Sequence, residues 1–491
     1  MKKVKKLFAV LLAAMTVMAL SATALAAETF TIRFTDPGFS LFGVSDTPRY
    51  SVYQIFTGDL TTDDSDVRTL SNIKWGKNAK NHSEGEAVSE EVLNALKAVN
   101  VAGKTDKEKL AVITQYVNLD SNPIKKTNGT GDEDLSVKPG YYLIKDNGPV
   151  GNGETYNLYV VEVTNNVTIT PKTSNTTSEK KIVDNGAETD SADYDIGDEI
   201  TFRLSATITE NYDYYLTYKL TFHDTLSEGL TLGENPTVTV KVDDTAITTG
   251  YEVVTTGLTD DCSLEVQFED LTKITSVKAG SEITVEYKAT LNKNAVIGST
   301  GNPNTLKVSY SNNPYDDTKT TDTPDNKVTV YTYQVVVNKV DGDNAPLTGA
   351  GFTLYKKDAD DTYQAVGNEI KGNNMTQFTF SGLGSGDYKL EETTTPKGYN
   401  TIPPIEFTIS ATYNSNDGSI ATLSATATDN TTQFTADKTA GSLTTNVVNN
   451  RGSLLPETGG IGTTIFYVLG GILMVGAVVL LVTRKRMRDA E

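Results

Sequence analysis

Short runs of alternating apolar and polar residues recur along most of the 491-residue chain. The runs are rich in Thr, Val, Tyr and Ile, and Gly, Asn and Asp separate them. A period of two places every second side chain on the same face, so each run predicts a half-buried β-strand. The clearest runs are 29–34, 158–163, 200–204, 237–242, 283–287, 306–310, 334–337 and 352–355. Repeated short strands of this kind predict a mainly β fold built from sandwiches.

One region, residues 89–119, departs from this period. Its apolar residues recur at helical spacings, and they are Val92, Leu93, Leu96, Val99, Leu110, Ile113 and Val117. Ser89, followed by Glu90 and Glu91, suits a helix N-terminus because a hydroxyl caps the free amides and acidic side chains favour that end. The sequence therefore predicts one or two helices in the N-terminal domain.

The chain is too long for one ordinary hydrophobic core. Two stretches, 171–178 and 312–326, are polar, contain proline and lack periodicity, as domain boundaries tend to do. We therefore predict three domains, at 27–172, 173–331 and 332–450.

The two ends carry apolar segments of different kinds. Four lysines among the first six residues, an apolar stretch and the Ala-Leu-Ala sequence at 24–26 predict a secretory signal peptide over 1–26. Near the other end, residues 465–483 are almost wholly apolar and long enough to span a bilayer, and basic residues follow at 484–488. By the positive-inside rule, this transmembrane segment over 461–483 leaves the preceding chain outside the cell.

Composition excludes several functions. The formal net charge is −20, which disfavours nucleic acid as a partner because phosphate binding needs basic patches. Cys262 is the single cysteine, so an intrachain disulfide is excluded. It has no histidine nearby in the sequence, and we interpret it as a half-buried structural thiol.

Nothing in the sequence favours an enzyme. His82 and His223 are the only histidines and fall in different predicted domains. No nucleophile–base spacing and no cluster of metal ligands stands out, so we expect no cofactor and no metal. Trp75, the single tryptophan, is expected in the core of the first domain.

A short motif precedes the C-terminal apolar segment. It consists of Leu455, Pro456, Glu457, Thr458 and Gly459. Pro456 favours an extended peptide that an enzyme groove can hold, and Gly459 leaves the Thr458 carbonyl accessible. With the apolar span and the basic tail, residues 451–491 resemble a cell-wall sorting signal read by sortases. The resemblance implies that a sortase cysteine forms a thioester at Thr458 and that the protein is anchored to peptidoglycan.

A second motif concerns an internal lysine. Residues 167–172 predict a strand that runs into Pro171 and Lys172. This ending resembles the pilin motif of Gram-positive major pilins, although Thr170 and Thr173 replace the usual Tyr and Asn. The resemblance implies that Lys172 attacks the acyl-enzyme of another subunit, which forms an intermolecular isopeptide bond.

Residues 388–399 resemble the pilin E box, with Thr395 departing from the pattern. By alternation Glu392 points inward, where a carboxylate must be neutral or paired. Lys339 shares a face with two valines, and burial there favours the neutral, nucleophilic amine. Resemblance to collagen-adhesin B-type domains implies that Glu392 promotes an isopeptide bond between Lys339 and Asn449. Asn450, on the opposite face, is the alternative.

The middle region resembles the isopeptide-forming second domain of backbone pilins in its stretches EKKIVD, YDIGDEITF, HDTLSEGL and NTLKVSYSNNP. The resemblance implies a bond between Lys180 and Asn304 that Asp224 promotes. Lys181 and Asn302 remain alternatives, because strand register is poorly specified by sequence. No bond is expected in the first domain, where residues 135–144 form a hairpin-like run without an E box.

Together these resemblances identify the chain as a sortase-assembled backbone pilin. They imply three tandem immunoglobulin-like β-sandwiches of the collagen-adhesin type in a pilus on the cell wall. The implied partners are sortase, identical subunits and peptidoglycan, with minor tip and base pilins as further candidates. The alternative is a monomeric, wall-anchored adhesin for host matrix or glycan, and Lys172 distinguishes the two functions.

Overall fold

The computed structural model describes residues 28–34, 49–63, 65–101, 104, 106–127, 135–147, 158–170, 175–258, 260–314, 316–429, 431–452 and 461–488. The fold of these residues is mainly β, which confirms the predicted fold class. The predicted signal peptide, at 1–26, lies outside the described residues.

The N-terminal part holds a three-stranded and a five-stranded sheet. Its elements are β1 Phe30–Phe34, β2 Tyr50–Thr62, β3 Arg68–Trp75, α1 Glu90–Val99, α2 Asp106–Ile113, β4 Lys125–Thr127, β5 Leu135–Val137, β6 Gly140–Asp146, β7 Leu158–Val163 and β8 Val167–Ile169. The prediction of one or two helices is confirmed, since α1 and α2 are both present. The Ser89 side chain accepts a hydrogen bond from the Val92 amide at 3.4 Å and caps α1. Trp75 is buried in the core that the helices cover, as expected.

The middle part is a sandwich of two seven-stranded sheets. Its strands are β9 Thr177–Asp184, β10 Ala187–Thr189, β11 Ser191–Asp193, β12 Glu199–Thr207, β13 Leu220–Leu226, β14 Leu230–Leu232, β15 Thr239–Val242, β16 Thr245–Ile247, β17 Glu252–Val254, β18 Leu264–Phe268, β19 Glu282–Leu291, β20 Asn302–Ser311, β21 Thr320–Asp322 and β22 Asn326–Tyr331. One sheet has the central order β9-β12-β19, and the other has the order β22-β20-β13-β18. Their inward side chains form one continuous apolar core.

The C-terminal part packs a four-stranded sheet against a six-stranded sheet. Its strands are β23 Tyr333–Asp341, β24 Gly351–Lys357, β25 Tyr363–Ala365, β26 Ile370–Lys371, β27 Gln377–Leu383, β28 Gly386–Thr394, β29 Ile405–Tyr413, β30 Ile420–Ala427, β31 Thr435–Asp437 and β32 Ser442–Asn449. The first and the last of these strands, β23 and β32, pair in parallel over eight residue pairs. This pairing brings the beginning and the end of the region side by side.

Polar contacts join the middle and C-terminal parts. Asp195, which follows β11, forms an ion pair with Lys356 at 2.6 Å and accepts a hydrogen bond from the Tyr388 hydroxyl at 3.1 Å. The Ser385 hydroxyl donates to Asp193 at 3.0 Å. The first residue of the E-box segment therefore contacts the middle part directly.

The last element, α3, spans Ile461–Arg488. Within its segment Thr464–Arg488, the most apolar 18 residues have a mean hydropathy of 2.7 and are not covered by the rest of the chain. By length and composition it can cross a membrane, in agreement with the span predicted at 461–483.

Candidate functional sites

The first candidate site lies where β23, β28 and β32 meet. Lys339 and Asn449 are completely buried, and Glu392 is 7% exposed. The parallel register places Lys339 beside Val447, two residues before Asn449. Because side chains alternate along a strand, Lys339 and Asn449 point to the same side of the sheet.

Glu392 holds the Asn449 carboxamide by two hydrogen bonds. The Asn449 Nδ2 atom donates to Glu392 Oε1 at 2.8 Å and to Oε2 at 2.9 Å. The Lys339 amine donates to the Val447 carbonyl at 2.8 Å. Within the described part of the chain, the buried Asn449 Oδ1 atom accepts no hydrogen bond. A buried polar atom without a partner is costly, so the carboxamide sits in an unfavourable state in the unreacted protein.

Burial sets the protonation of the lysine. It lowers the pKa of the Lys339 amine to about 8, although the nearby Glu392 charge acts in the opposite direction. A lower pKa leaves more of the amine neutral near physiological pH, and only the neutral amine is a nucleophile.

The second candidate site lies inside the middle sandwich. Lys180, Asp224, Tyr287 and Asn304 come from β9, β13, β19 and β20, and each is at most 2% exposed. Lys180 Nζ and the Tyr287 hydroxyl both contact the Asp224 carboxylate directly, one on each oxygen. Asn304 Nδ2 donates to the Tyr287 hydroxyl at 2.7 Å. The four groups therefore form one hydrogen-bonded chain across the core.

This second site shares two features with the first. Burial lowers the pKa of the Lys180 amine to about 8, against the opposing effect of the Asp224 charge. The buried Asn304 Oδ1 atom likewise lacks a hydrogen-bond partner among the described residues. Because Lys180 and Asn304 belong to different sheets, a bond between them would tie the two layers together.

Sequence reasoning missed Tyr287. Its strand was recognised by alternation, but nothing in that pattern distinguishes a tyrosine that packs from one that bridges a carboxyl and a carboxamide. Burial and the charge of Asp224 raise the pKa of its hydroxyl well above the usual value, so it stays protonated and donates.

The alternative residues occupy other environments. Lys181 lies at the surface and forms ion pairs of 2.9 Å with both Glu179 and Asp190. The Asn302 carboxamide is already satisfied: it donates to the Val296 and Val330 carbonyls, and its oxygen accepts from the Val296 amide at 2.8 Å. Asn450 is exposed. The two buried clusters thus contain Lys180, Asn304 and Asn449 and not the alternative residues.

Two other predicted sites lie outside the described residues. These are Lys172 and the motif formed by Leu455, Pro456, Glu457, Thr458 and Gly459. The described strand β8 ends at Ile169, three residues before Lys172.

Cys262 is half-buried, as expected, and lies close to a histidine in the fold. The sequence placed no histidine near it, but its Sγ atom lies 3.8 Å from His223 Nδ1. The two residues are 39 positions apart and meet only because β13 and β18 pair. His223 also points to the opposite side of its strand from Asp224, so it does not take part in the Lys180 site.

Comparison with protein families agrees with this arrangement. Residues 196–314 match the Gram-positive pilin backbone subunit 2, Cna-B-like domain, and residues 333–444 match the SpaA prealbumin-like fold domain. Residues 448–487 match the LPXTG cell wall anchor motif. The chain is thus a surface protein of Cna-B-like and prealbumin-like domains that is anchored to the cell wall.

Two relatives refine this class. The trypsin-resistant surface T6 protein of Streptococcus pyogenes is 26% identical over 336 residues, which are 54% of this chain and 60% of that protein. The solved T6 backbone pilin of serotype M6 S. pyogenes, a modular three-domain structure, has a similar fold, with 20% identity and a TM-score of 0.52 over 88% of this chain and 100% of that one. The matched pilin backbone domain and the anchor motif make the chain similar to Gram-positive backbone pilins, and it spans 60% of the length of the T6 protein.

Proposed function

We propose that the chain is the covalently polymerised backbone subunit of a surface pilus. Sortase joins Thr458 of one subunit to Lys172 of the next, and two internal isopeptide bonds, Lys339–Asn449 and Lys180–Asn304, stabilise each subunit. The observation that carries this proposal is the presence of two buried clusters of lysine, carboxyl and asparagine in pilin-type domains that end in a wall anchor.

The internal reaction needs no group from outside the chain. The neutral lysine Nζ attacks the asparagine Cγ, and the new C–N bond forms as the old bond to Nδ2 breaks. The carboxyl of Glu392 or Asp224 accepts the lysine proton and passes it to the leaving nitrogen, which departs as ammonia. The carboxyl is restored at the end, so it acts as a general acid and base within a single turnover.

The positions of the bonds suit a fibre under tension. β23 and β32 are the first and last strands of the C-terminal part and pair with each other in parallel. A Lys339–Asn449 bond between them transfers a pull on the two ends through a covalent link rather than through backbone hydrogen bonds. Unlike a disulfide, this link is not opened by thiols.

The intermolecular step uses one residue between the N-terminal and middle parts and one residue after the C-terminal part. Lys172 follows β8, which pairs in parallel with β1 through Ile32 and Val167. Thr458 follows β32 after the sandwich ends. Each subunit thus offers one acceptor and one donor, which gives a linear homopolymer, and sortase finally transfers the last subunit to peptidoglycan. Minor pilins at the tip and the base are further partners, and sortase joins them by the same reaction.

Mass spectrometry of protein released from the cell surface tests the polymer. We expect a branched peptide that joins the Thr458 carbonyl to the Lys172 amine. Lys397 is a matched internal control, because it also follows a proline and is exposed. Crosslinks at Lys397, or only to wall peptide, would contradict the polymer proposal and support a singly anchored adhesin.

The role of Tyr287 is tested by Tyr287→Phe. The variant loses the hydroxyl that links Asp224 to Asn304. A hydrogen bond to a charged group is worth about 1.5–3 kcal/mol, so the middle bond should form about 10- to 100-fold more slowly. The measurement is the fraction of unbonded chain by intact mass at times after synthesis. Tyr251→Phe, in the same part but remote from Asp224, should react like the wild type, and equal rates for both variants would remove Tyr287 from the mechanism.

A further inference from the structure

Four potential metal ligands meet on the outer face of the middle sandwich. One ligand atom from each of His223, Asp260, Cys262 and Glu265 lies within 4.8 Å of the other three. His223 on β13 and Glu265 on β18 are direct cross-strand partners. Asp260 and Cys262 come from the segment just before β18. The fold therefore builds this cluster from two strands and one loop, and none of its members belongs to the isopeptide sites.

The distances between the ligand atoms of these four side chains are short. His223 Nδ1 lies 2.8 Å from Asp260 Oδ2 and 3.0 Å from Glu265 Oε1. Cys262 Sγ lies 2.6 Å from Asp260 Oδ1 and 3.8 Å from His223 Nδ1. In a tetrahedral zinc site with bonds of 2.0–2.3 Å, neighbouring ligand atoms are about 3.3–3.8 Å apart. The four groups reach that geometry by changes of about 1 Å in the distances between their ligand atoms.

A hydrogen-bond chain orients the histidine ring. The Ser309 hydroxyl donates to Asp322 Oδ1 at 2.6 Å, so its oxygen is left to accept from His223 Nε2 at 3.0 Å. With Nε2 held by Ser309, Nδ1 faces the carboxylates of Asp260 and Glu265. Metal-binding histidines are oriented in the same way, with the second ring nitrogen donating to an outer partner.

We propose that His223, Asp260, Cys262 and Glu265 bind one divalent metal ion of the zinc class. Imidazole and thiolate together select a borderline ion such as Zn²⁺ over Mg²⁺ or Ca²⁺, which prefer oxygen ligands alone. The side chains remain partly accessible, with Asp260 29% exposed and His223 16% exposed, so an ion can enter from solvent.

The bound ion would fasten β13 to the loop that precedes β18. The Ser263 amide donates to the Asp224 carbonyl at 2.7 Å in this same loop. A metal at Cys262 therefore reinforces the strand that carries Asp224 on its other face. In an exported chain with one cysteine, coordination would also occupy a thiol that is otherwise left unpaired.

The test uses the purified full chain, freed of metal by a chelator and then titrated with Zn²⁺ and, separately, with Co²⁺. We expect one tightly held Zn²⁺ per chain by elemental mass spectrometry, and a thiolate-to-cobalt charge-transfer band in the ultraviolet. Cys262→Ser should abolish the cobalt band, and His223→Gln should lower the Zn²⁺ affinity at least about tenfold. His82→Gln is the matched control, because this histidine lies outside the cluster, where it pairs with Glu86 at 3.5 Å and stacks on Trp75.

These measurements distinguish a bound metal ion from a proton on His223 as the positive charge that balances Asp260 and Glu265. If a proton on His223 neutralises the cluster instead, the wild type will show no cobalt–thiolate band and no retained Zn²⁺, which overturns the proposal. Zn²⁺ retention that Cys262→Ser and His223→Gln leave unchanged overturns it as well. If Cys262→Ser fails to fold, Glu265→Gln serves in its place, with the melting temperature of the metal-free variant compared with that of the metal-free wild type.

Discussion

The purified wild-type chain should have an intact mass below the value calculated for its sequence by the mass of two ammonia molecules. Each internal bond between lysine and asparagine releases one ammonia. Glu392→Ala should reduce this deficit to the mass of one ammonia molecule. The variant lacks the carboxyl that accepts hydrogen bonds from the Asn449 amide at 2.8 and 2.9 Å. Without that carboxyl the Asn449 amide loses its hydrogen-bond partner and the group that carries the proton to the leaving nitrogen, and Lys339 stays unreacted.

A neighbouring residue supplies the control. Glu391 lies on the opposite face of β28 and forms a surface ion pair with Lys389 at 2.8 Å. Glu391→Ala should keep both mass deficits, and Asp224→Ala should lose only the deficit of the middle part. A wild-type chain without any deficit would refute both bonds, and a Glu392→Ala variant with the full deficit would refute the role of Glu392. Fragment spectra then assign each remaining bond to its lysine and asparagine.

Strand alternation was enough to point Lys339 and Glu392 inward. Both residues interrupt an otherwise apolar face, and an ionisable group in such a position needs a partner. The choice of Asn449 rather than Asn450 came from resemblance to a family. The structure gives its physical basis, because the parallel pairing of β23 and β32 places Lys339 beside Val447 and so puts the odd-numbered side chains of β32 on the lysine's face.

Contacts between distant segments were beyond sequence reasoning. Tyr287 reaches Asp224 and Asn304 across the sandwich, and its position depends on how two sheets pack rather than on any local pattern. The meeting of His223 with Cys262 depends on the register of β13 against β18, which the hydrophobic pattern alone does not fix. Local periodicity thus predicts which way a side chain points, whereas pairing decides what it meets.

The N-terminal part illustrates the same difference. The helical spacing in residues 89–119 predicted α1 and α2, because an amphipathic face is a local property. The parallel pairing of β1 with β8 joins residues that are far apart in the chain, and no turn signal connects them. The domain limits at 27–172, 173–331 and 332–450 remain predictions, since they rest on linker composition.

Asp224→Ala should destabilise the middle part more than any other single change in the chain. Lys180 is 2% exposed and its amine contacts Asp224 directly. Removing one partner of a buried ion pair leaves an uncompensated charge and costs about 3–5 kcal/mol. The variant also loses the internal bond, and by analogy with a disulfide that closes a loop of about 100 residues, this loss adds roughly 4–5 kcal/mol.

Hydrogen exchange of the core amides of β12 and β19 measures the free energy of opening for this part alone. The double variant Lys180→Met/Asp224→Leu separates the two contributions, because it lacks the bond but leaves no buried charge. It should be more stable than Asp224→Ala by about 3–5 kcal/mol and less stable than the wild type by the amount due to the bond. Equal stability of the double variant and the wild type would mean that no covalent bond ties β9 to β20. Equal stability of the two variants would instead mean that Lys180 sheds its proton at no cost once Asp224, whose charge raises the Lys180 pKa, is gone.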